Sequence, residues 1–377
     1  MMVCIPKTMK AAVLRDPKIG LRVEEIKTPT PKSGEVLVKV AACGMCHSDL
    51  HVIHGKIAFP LPCVLGHEVA GEIVALGPDN EYTGLAVGQK VAGAFLMPCG
   101  KCEACARGRD DLCGPFFDLN RIQGKLYDGT TRLAGTDGEE IAMYSMGALA
   151  EYCVIPSTSV APVSEKIDLT KGAILGCAAL TGYGAVRRGA NLQFGETVAV
   201  VATGGVGSNI IQISKAFGAA KIIAIDISDE KLEAAKALGA THTVNSLKEN
   251  VRETVFSMTD GRGVDVAFEA LGNPATWKSA LDALSDGGRL VAIGLGAGVQ
   301  EAGVEINRTV RRSQRIIGSY GARTRTDLPA VVEMAAKGFI NYKEIVTERF
   351  RLEDANEGYQ KLAKGEILGR AIVDMSL

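Results

Sequence analysis

Apolar and polar residues follow two different rhythms along this chain. In its first third, Lys10–Leu14, Glu35–Val40, Val69–Leu76 and Lys90–Ala94 are short β-rich runs separated by glycines and by the proline-rich turn Thr28–Gly34. That texture predicts an antiparallel, barrel-like β domain. From about Gly182 strands alternate with helical stretches. Thr197–Ala202 reads as a strand, Asn209–Phe217 as a helix, Lys221–Asp226 as a strand and Asp229–Leu238 as a helix closed by Gly239. Further strands are expected at Thr243–Val244, Val264–Glu269, Arg289–Ile293 and Arg315–Ser319, with a helix between Thr276 and Leu284. Six strands with helical crossovers predict a doubly wound parallel sheet. The tail reads as a helix from Leu328 to near Gly338, a strand Ile345–Phe350, a helix Asp354–Lys364 and a strand Ala371–Asp374 that returns to the first domain. The fold class is α/β, divided as a β domain over 1–180, a parallel-sheet domain over 181–320 and a return segment over 321–377.

Length agrees with more than one domain, since 377 residues exceed the roughly 250–300 at which single cores stop growing. The 42 basic and 43 acidic residues nearly cancel and form no block of like charge, so nothing recruits nucleic acid electrostatically. Apolar stretches such as Leu290–Leu295 are far shorter than the roughly 20 residues a membrane span needs. Met1–Lys10 carries no apolar leader core, and a cytoplasmic location is the expectation. Ten cysteines in such a chain point to metal binding or catalysis rather than disulfides.

Their spacing narrows this. Cys99, Cys102, Cys105 and Cys113 place four thiols on one loop, a match for tetrahedral zinc with every position filled by protein, and therefore structural. A dispersed set, Cys46, His67 and Cys177, would leave a zinc one open position, as catalysis requires, although no local spacing unites the three. The stretch Ala202-Thr203-Gly204-Gly205-Val206-Gly207 follows a strand and opens a helix, where backbone N–H groups and the helix dipole can hold a pyrophosphate. Alanine stands where that fingerprint has its first glycine, at little cost if φ is negative there. Asp226 closes the next strand and would accept bonds from an adenosine ribose while repelling a 2′-phosphate, which favours NAD over NADP. Lys231 is the nearest downstream cation, as readily a helix-surface residue as a ribose contact.

In this order the Cys46–His51 run, Gly66-His67-Glu68, the four-cysteine loop and the glycine-rich turn resemble the zinc-containing alcohol dehydrogenases of the medium-chain dehydrogenase/reductase family, over nearly the whole chain. The resemblance implies a GroES-like catalytic domain interrupted by a Rossmann domain. It implies Cys46, His67 and Cys177 as catalytic zinc ligands, Glu68 as an acidic neighbour able to approach the metal, and Asp49 as the partner of the ligand histidine. It further implies Ser48 and His51 as a proton relay, His47 and Arg370 at the cofactor phosphates, and Ile57, Phe95 and Leu295 lining a substrate channel, although these three are equally read as core residues. The expected activity is reversible oxidation of a small alcohol to an aldehyde or ketone with NAD, zinc polarising the substrate oxygen, in a homo-oligomer, dimer or tetramer. An NADP(H)-preferring aldehyde reductase of the same fold is the alternative within enzymes. A non-catalytic nucleotide sensor would be expected to lack Cys46, His67 or Cys177. The long segment after Cys113 resembles liver-type members and the Cys46–His51 run yeast-type ones, while Phe116–Asn120, Tyr127–Leu133 and Tyr144–Tyr152 resemble a plant and microbial branch.

Overall fold

A computed structural model describes residues 5–80, 83–296 and 298–377. The first four residues of the expected leader-free start lie outside it. The chain divides into two units, one made of Met1–Cys177, Arg323–Ala336 and Tyr342–Leu377, the other of Ala178–Ala322 and Lys337–Asn341. The short piece 337–341 therefore belongs with the second unit, and the Asn341 amide donates to Gln212 Oε1 there at 2.7 Å.

In the first unit the strand Glu35–Gly44 is the organiser, buried along nearly its whole length. One edge pairs antiparallel with Val69–Leu76. The other pairs first with Tyr152–Pro156 and then, at its far end, with Arg370–Asp374, Ile372 lying opposite Gly44. The sheet continues through Lys90–Gly93 to Val160–Pro162 on one side and to Val346–Phe350 on the other. Leu21–Lys27, Thr8–Leu14, Cys63–Val64, Glu140–Met143 and Leu133–Ala134 form a second sheet.

The second unit holds a six-stranded parallel sheet in the order His242–Asn245, Lys221–Asp226, Thr197–Val201, Val264–Glu269, Leu284–Ala292, Arg315–Gly318. Its central strands are continuous apolar runs because both faces are covered, and Ala199, Val201, Ile223, Ile225, Ala267 and Leu290 share one core cluster. Helix boundaries follow from capping chemistry. The Ser228 hydroxyl accepts from the Lys231 amide to start Asp229–Leu238, and Gly239 at φ 118° ends it. Asn250 and Asn273 cap Val251–Met258 and Pro274–Ala283 in the same manner. Among the described residues no helix is long and apolar enough to cross a membrane.

Candidate metal centres and cofactor loop

Strand Glu35–Gly44 delivers the chain into the helix His47–Ile53, with Cys46 as its extended N-terminal boundary residue. Asp49 lies in the first turn and is completely buried. Its Oδ1 accepts from the Gly66 amide at 3.1 Å and meets His67 Nδ1 at 3.0 Å, while the Tyr359 hydroxyl donates to Oδ2 at 3.0 Å. A carboxylate partner makes Nδ1 the protonated nitrogen and leaves the Nε2 lone pair free for a metal. Cys177 reaches the same place because Gly176 packs backbone to backbone against Gly93. A Cβ on Gly176 would sit 1.8 Å from the Gly93 carbonyl oxygen.

One ligand atom from each of Cys46, His67, Glu68 and Cys177 lies within 4.8 Å of all the others. The hydrogen bond with Cys177 holds the Cys46 thiol well below its ordinary range against the opposing effect of burial, and the same bond, with burial, drives Cys177 up. Burial pushes His67 down, but Asp49 and Cys46 outweigh it and raise the imidazole to about 10. Burial raises Glu68, opposed by Arg370. Glu68 Oε2 is buried without a hydrogen-bond partner. Two sulfurs, one imidazole nitrogen and a neighbouring carboxylate are a donor set that fits zinc.

Arg370, which the resemblance places at the cofactor phosphates, donates from Nη2 to Glu68 Oε1 and to the Met45 carbonyl at 3.0 Å, both buried contacts beside Cys46 and His67. Ser48 Oγ lies 3.7 Å from Cys46 Sγ, and His51 follows one turn along the helix, half-buried, its imidazole held below the usual value by burial and by Lys56 and His54. His47 is exposed at the helix start.

The second cluster is Cys99, Cys102, Cys105 and Cys113. A tetrahedron with Zn–S near 2.3 Å has edges of roughly 3.8 Å, and Cys102 and Cys113 sulfurs lie 3.9 Å apart. Amides of Cys99 and Cys102 point at Cys113 and Cys99 sulfurs at 3.2 and 3.3 Å. Against burial, hydrogen bonds from the other three cysteines bring Cys102 down to about 7. Arg325, from the helix Thr324–Ala336, ties this loop down by gripping the Asp110 carboxylate at 2.7–3.2 Å and the Cys105 carbonyl at 2.5 Å.

Two aromatic rings pack against His67. Phe95 and Tyr144 lie edge to face with His67 at 6.1 and 5.8 Å, and Phe59 lies T-shaped to Tyr144 at 5.1 Å. The Arg121 guanidinium stands 3.9 Å from the Tyr144 ring centroid. Phe59, Tyr144 and Arg121 were not singled out as site residues from sequence, since aromatics at irregular spacing carry no motif. Ile57 is partly exposed on the loop after the helix, and Leu295 is 63% exposed on the loop after Leu284–Ala292 in the other unit.

In the cofactor loop, Gly204 bounds the helix Gly205–Ala216, which starts four residues earlier than its apolar pattern indicates. The first N–H groups of such a helix have no intrahelical acceptor and can face an anion. Gly207 permits the turn to close on the strand, for a Cβ there would lie 2.1 Å from the Ala202 carbonyl oxygen. That cradle fits a dinucleotide pyrophosphate. The expectation for Ala202 is corrected: its φ is +70°, the left-handed region, so alanine there is strained. Asp226 accepts from Thr203 N and Oγ1 at 2.8 and 3.1 Å and from the Ile227 and Ser228 amides at 2.8 and 3.2 Å, binding the loop to the strand end. Val206 lies in the helix's first turn, and Lys231 donates only its amide to a described partner, Ser228 Oγ.

Comparison with known proteins gives the same answer. Residues 32–165 match the alcohol dehydrogenase GroES-like domain and residues 205–337 the zinc-binding dehydrogenase domain. The chain is 35% identical to S-(hydroxymethyl)glutathione dehydrogenase of Saccharomyces cerevisiae, over 95% of this chain and 94% of that protein. It is 34% identical to the Candida maltosa protein of the same name, over 98% of each. Among solved structures, an alcohol dehydrogenase zinc-binding domain protein from Burkholderia ambifaria matches with a TM-score of 0.92 at 31% identity, covering 97% of this chain and 98% of that one. Benzyl alcohol dehydrogenase from Acinetobacter calcoaceticus matches with a TM-score of 0.90 at 30% identity, over 98% and 99%. The protein belongs to the zinc-containing alcohol dehydrogenases of the medium-chain dehydrogenase/reductase family, oxidoreductases built from a GroES-like and a Rossmann domain.

Proposed function

We propose that the protein is an NAD-linked enzyme interconverting a primary or secondary, preferably aromatic, alcohol with its carbonyl compound, with Cys46, His67 and Cys177 holding the catalytic zinc and Cys99, Cys102, Cys105 and Cys113 a structural one. The observation that carries this reading is the convergence of the four donor atoms within 4.8 Å around a histidine whose tautomer Asp49 sets. Zinc supplies Lewis acidity toward the substrate oxygen and NAD accepts the hydride.

The chain's own residues do the rest. Asp49 keeps Nε2 of His67 a donor to the metal. Ser48 Oγ takes the substrate's hydroxyl proton, and His51, neutral at pH 7 because its imidazole is depressed, receives it on the way to solvent. Backbone N–H groups of Gly204–Gly207 hold the pyrophosphate. Glu68, anchored by Arg370, is the carboxylate able to approach the metal.

Asp226 already accepts four bonds from the protein, about the capacity of a carboxylate. Its preference for NAD then rests more on the charge it sets against a 2′-phosphate than on new bonds to ribose. Phe95 and Tyr144 against His67, with Phe59 against Tyr144, support an aromatic alcohol, in keeping with the benzyl alcohol dehydrogenase likeness. A homo-oligomer completes the reading, with sedimentation as its check.

The test is kcat/KM for benzyl alcohol, ethanol and formaldehyde with glutathione, each with NAD and NADP on zinc-loaded protein. NAD and benzyl alcohol should give the higher values, and Asp226→Ser should narrow the cofactor ratio. A higher value with NADP in the unaltered enzyme would refute the role of Asp226.

A further inference from the structure

At the carboxyl ends of the parallel sheet, strand order decides what each loop can receive. From Thr197–Val201 the chain moves to one side, through Lys221–Asp226 to His242–Asn245. It then crosses back to Val264–Glu269 on the other side and continues to Leu284–Ala292 and Arg315–Gly318. Thr197–Val201 and Val264–Glu269 therefore flank the point where the order reverses, and ligands of such sheets bind outside the strand ends at that point. The glycine loop 204–207 follows the first of these strands, and Asp226 ends the neighbour on one side. A dinucleotide with its pyrophosphate on that loop and its adenosine ribose toward Asp226 extends its other half toward the loops after Val264–Glu269 and Leu284–Ala292.

One residue holds those two loops together. Glu269 closes its strand and is completely buried. Its main-chain carbonyl accepts from the Ile293 and Gly294 amides at 2.9 and 3.0 Å. Its side-chain Oε1 accepts from the Leu271 and Gly272 amides at 3.0 and 2.8 Å and from the Thr276 hydroxyl at 2.7 Å. The following amide, Ala270, donates to the Val201 carbonyl at 3.1 Å, which joins the same turn to the strand that leads into the glycine loop. Between the two loops the backbones touch. A Cβ on Gly272 would lie 2.5 Å from the Gly296 nitrogen and 2.7 Å from the Gly294 carbonyl carbon.

A side chain without an acceptor at this position would leave two amides and a hydroxyl unpaired, at a cost borne by the turn itself. The other oxygen, Oε2, is buried with no partner. Burying it is unfavourable, so the gain from the side chain lies in the acceptor at Oε1 and the turn it shapes.

We propose that Glu269 is a positioning residue for the cofactor: through Oε1 it fixes the turn 270–273 against 293–296, and this pair of loops receives the nicotinamide half of NAD(H). The assignment rests on the NAD-linked reading above. Glu269 acts through the backbone it holds and not by touching the ligand.

The experiment is calorimetric titration of zinc-loaded protein with NADH and with ADP-ribose, which lacks the nicotinamide. Glu269→Ala should weaken NADH by roughly 10–100-fold, the range for losing a hydrogen bond to a charged group, and ADP-ribose by less than about 3-fold. Glu269→Gln keeps an acceptor oxygen and should restore most of the NADH affinity. Should Glu269→Ala fail to fold, Thr276→Val removes the hydroxyl donor and leaves both amides, and must weaken NADH by about 3–5-fold with ADP-ribose unchanged. In unaltered protein, NADH must slow amide hydrogen exchange over residues 293–296 more than ADP-ribose does. Equal weakening of the two ligands would overturn the assignment by making Glu269 a support of the whole unit. Unchanged NADH binding in Glu269→Ala, a Glu269→Gln as weak as Glu269→Ala, or equal protection by both ligands would overturn it as well. Each of these leaves the cofactor reading standing, whereas unaltered protein that binds neither ligand defeats the NAD-linked reading with it.

Discussion

Removing Arg370 should damage the catalytic unit more than removing the carboxylate it serves. The two side chains are 8% and 0% exposed, and they bond directly. Glu68 Oε2 has no other partner, so Arg370→Met would leave a wholly buried carboxylate with neither oxygen bonded. Breaking a buried pair from one side costs about 3–5 kcal/mol. Glu68→Gln leaves Arg370 its bond to the Met45 carbonyl and an amide oxygen to face, so the loss should be about 1–3 kcal/mol. The double variant should then be less unstable than the sum by at least about 1.5 kcal/mol, within the range for close charge pairs. The assay needs a probe in the correct unit, and the chain's single tryptophan, Trp277, lies in the other. Hydrogen exchange at the Ile372 and Val373 amides, on the strand that carries Arg370, reports the relevant opening. With zinc content matched, additivity within about 0.5 kcal/mol would refute the coupling.

Ala202→Gly should stabilise the Rossmann unit. Left-handed geometry costs alanine about 1–2 kcal/mol and glycine returns about 0.4–1 kcal/mol through its freer unfolded state, leaving a net gain near 0.5–1 kcal/mol, readable by Trp277 fluorescence in urea. Metal analysis should give two zinc ions per chain, with Cys102→Ser losing one and mainly stability, and Cys46→Ser losing the other and mainly turnover; a single ion in the unaltered protein would contradict this. His51→Gln should slow alcohol oxidation by about 10²-fold or less. Because the His51 imidazole is held below its usual 6.5, it stays neutral and able to accept a proton at pH 7 and loses that capacity only as pH falls further. The deficit should therefore be largest near neutrality and partly recovered by added buffer base, and an identical pH–rate profile in both proteins would place His51 outside the relay.

The parallel-sheet unit was readable in the sequence because its signals are local: apolar runs of strand length, a serine cap at 228 and a terminating glycine at 239. The four-cysteine loop was readable for the same reason. Cys46, His67 and Cys177 share no spacing, and only a family resemblance united them before the fold brought Gly176 against Gly93. Strand Leu21–Lys27 escaped notice because two adjacent glutamates break its alternation. The helix at Gly205 was placed late because glycines are poor helix formers, although the turn there depends on them. The sign of φ at Ala202, the turn of Arg370 toward Glu68 and the stacking of Arg121 on Tyr144 are properties of tertiary packing, and no pattern along the chain encodes them.

The pairing of Arg370–Asp374 with Glu35–Gly44 also dictates an order of events during synthesis. Residues 178–341 supply every strand of the parallel sheet, so that unit can close while the ribosome still holds the tail. The unit translated first must wait longer, since the strand that completes its sheet and the arginine that neutralises Glu68 lie C-terminal to every strand of the other unit. Until they emerge, Glu35–Gly44 has part of an edge uncovered and the cysteines for two metal sites are free of their final surroundings. The nascent chain is thus most exposed to misassembly and thiol oxidation in its oldest part.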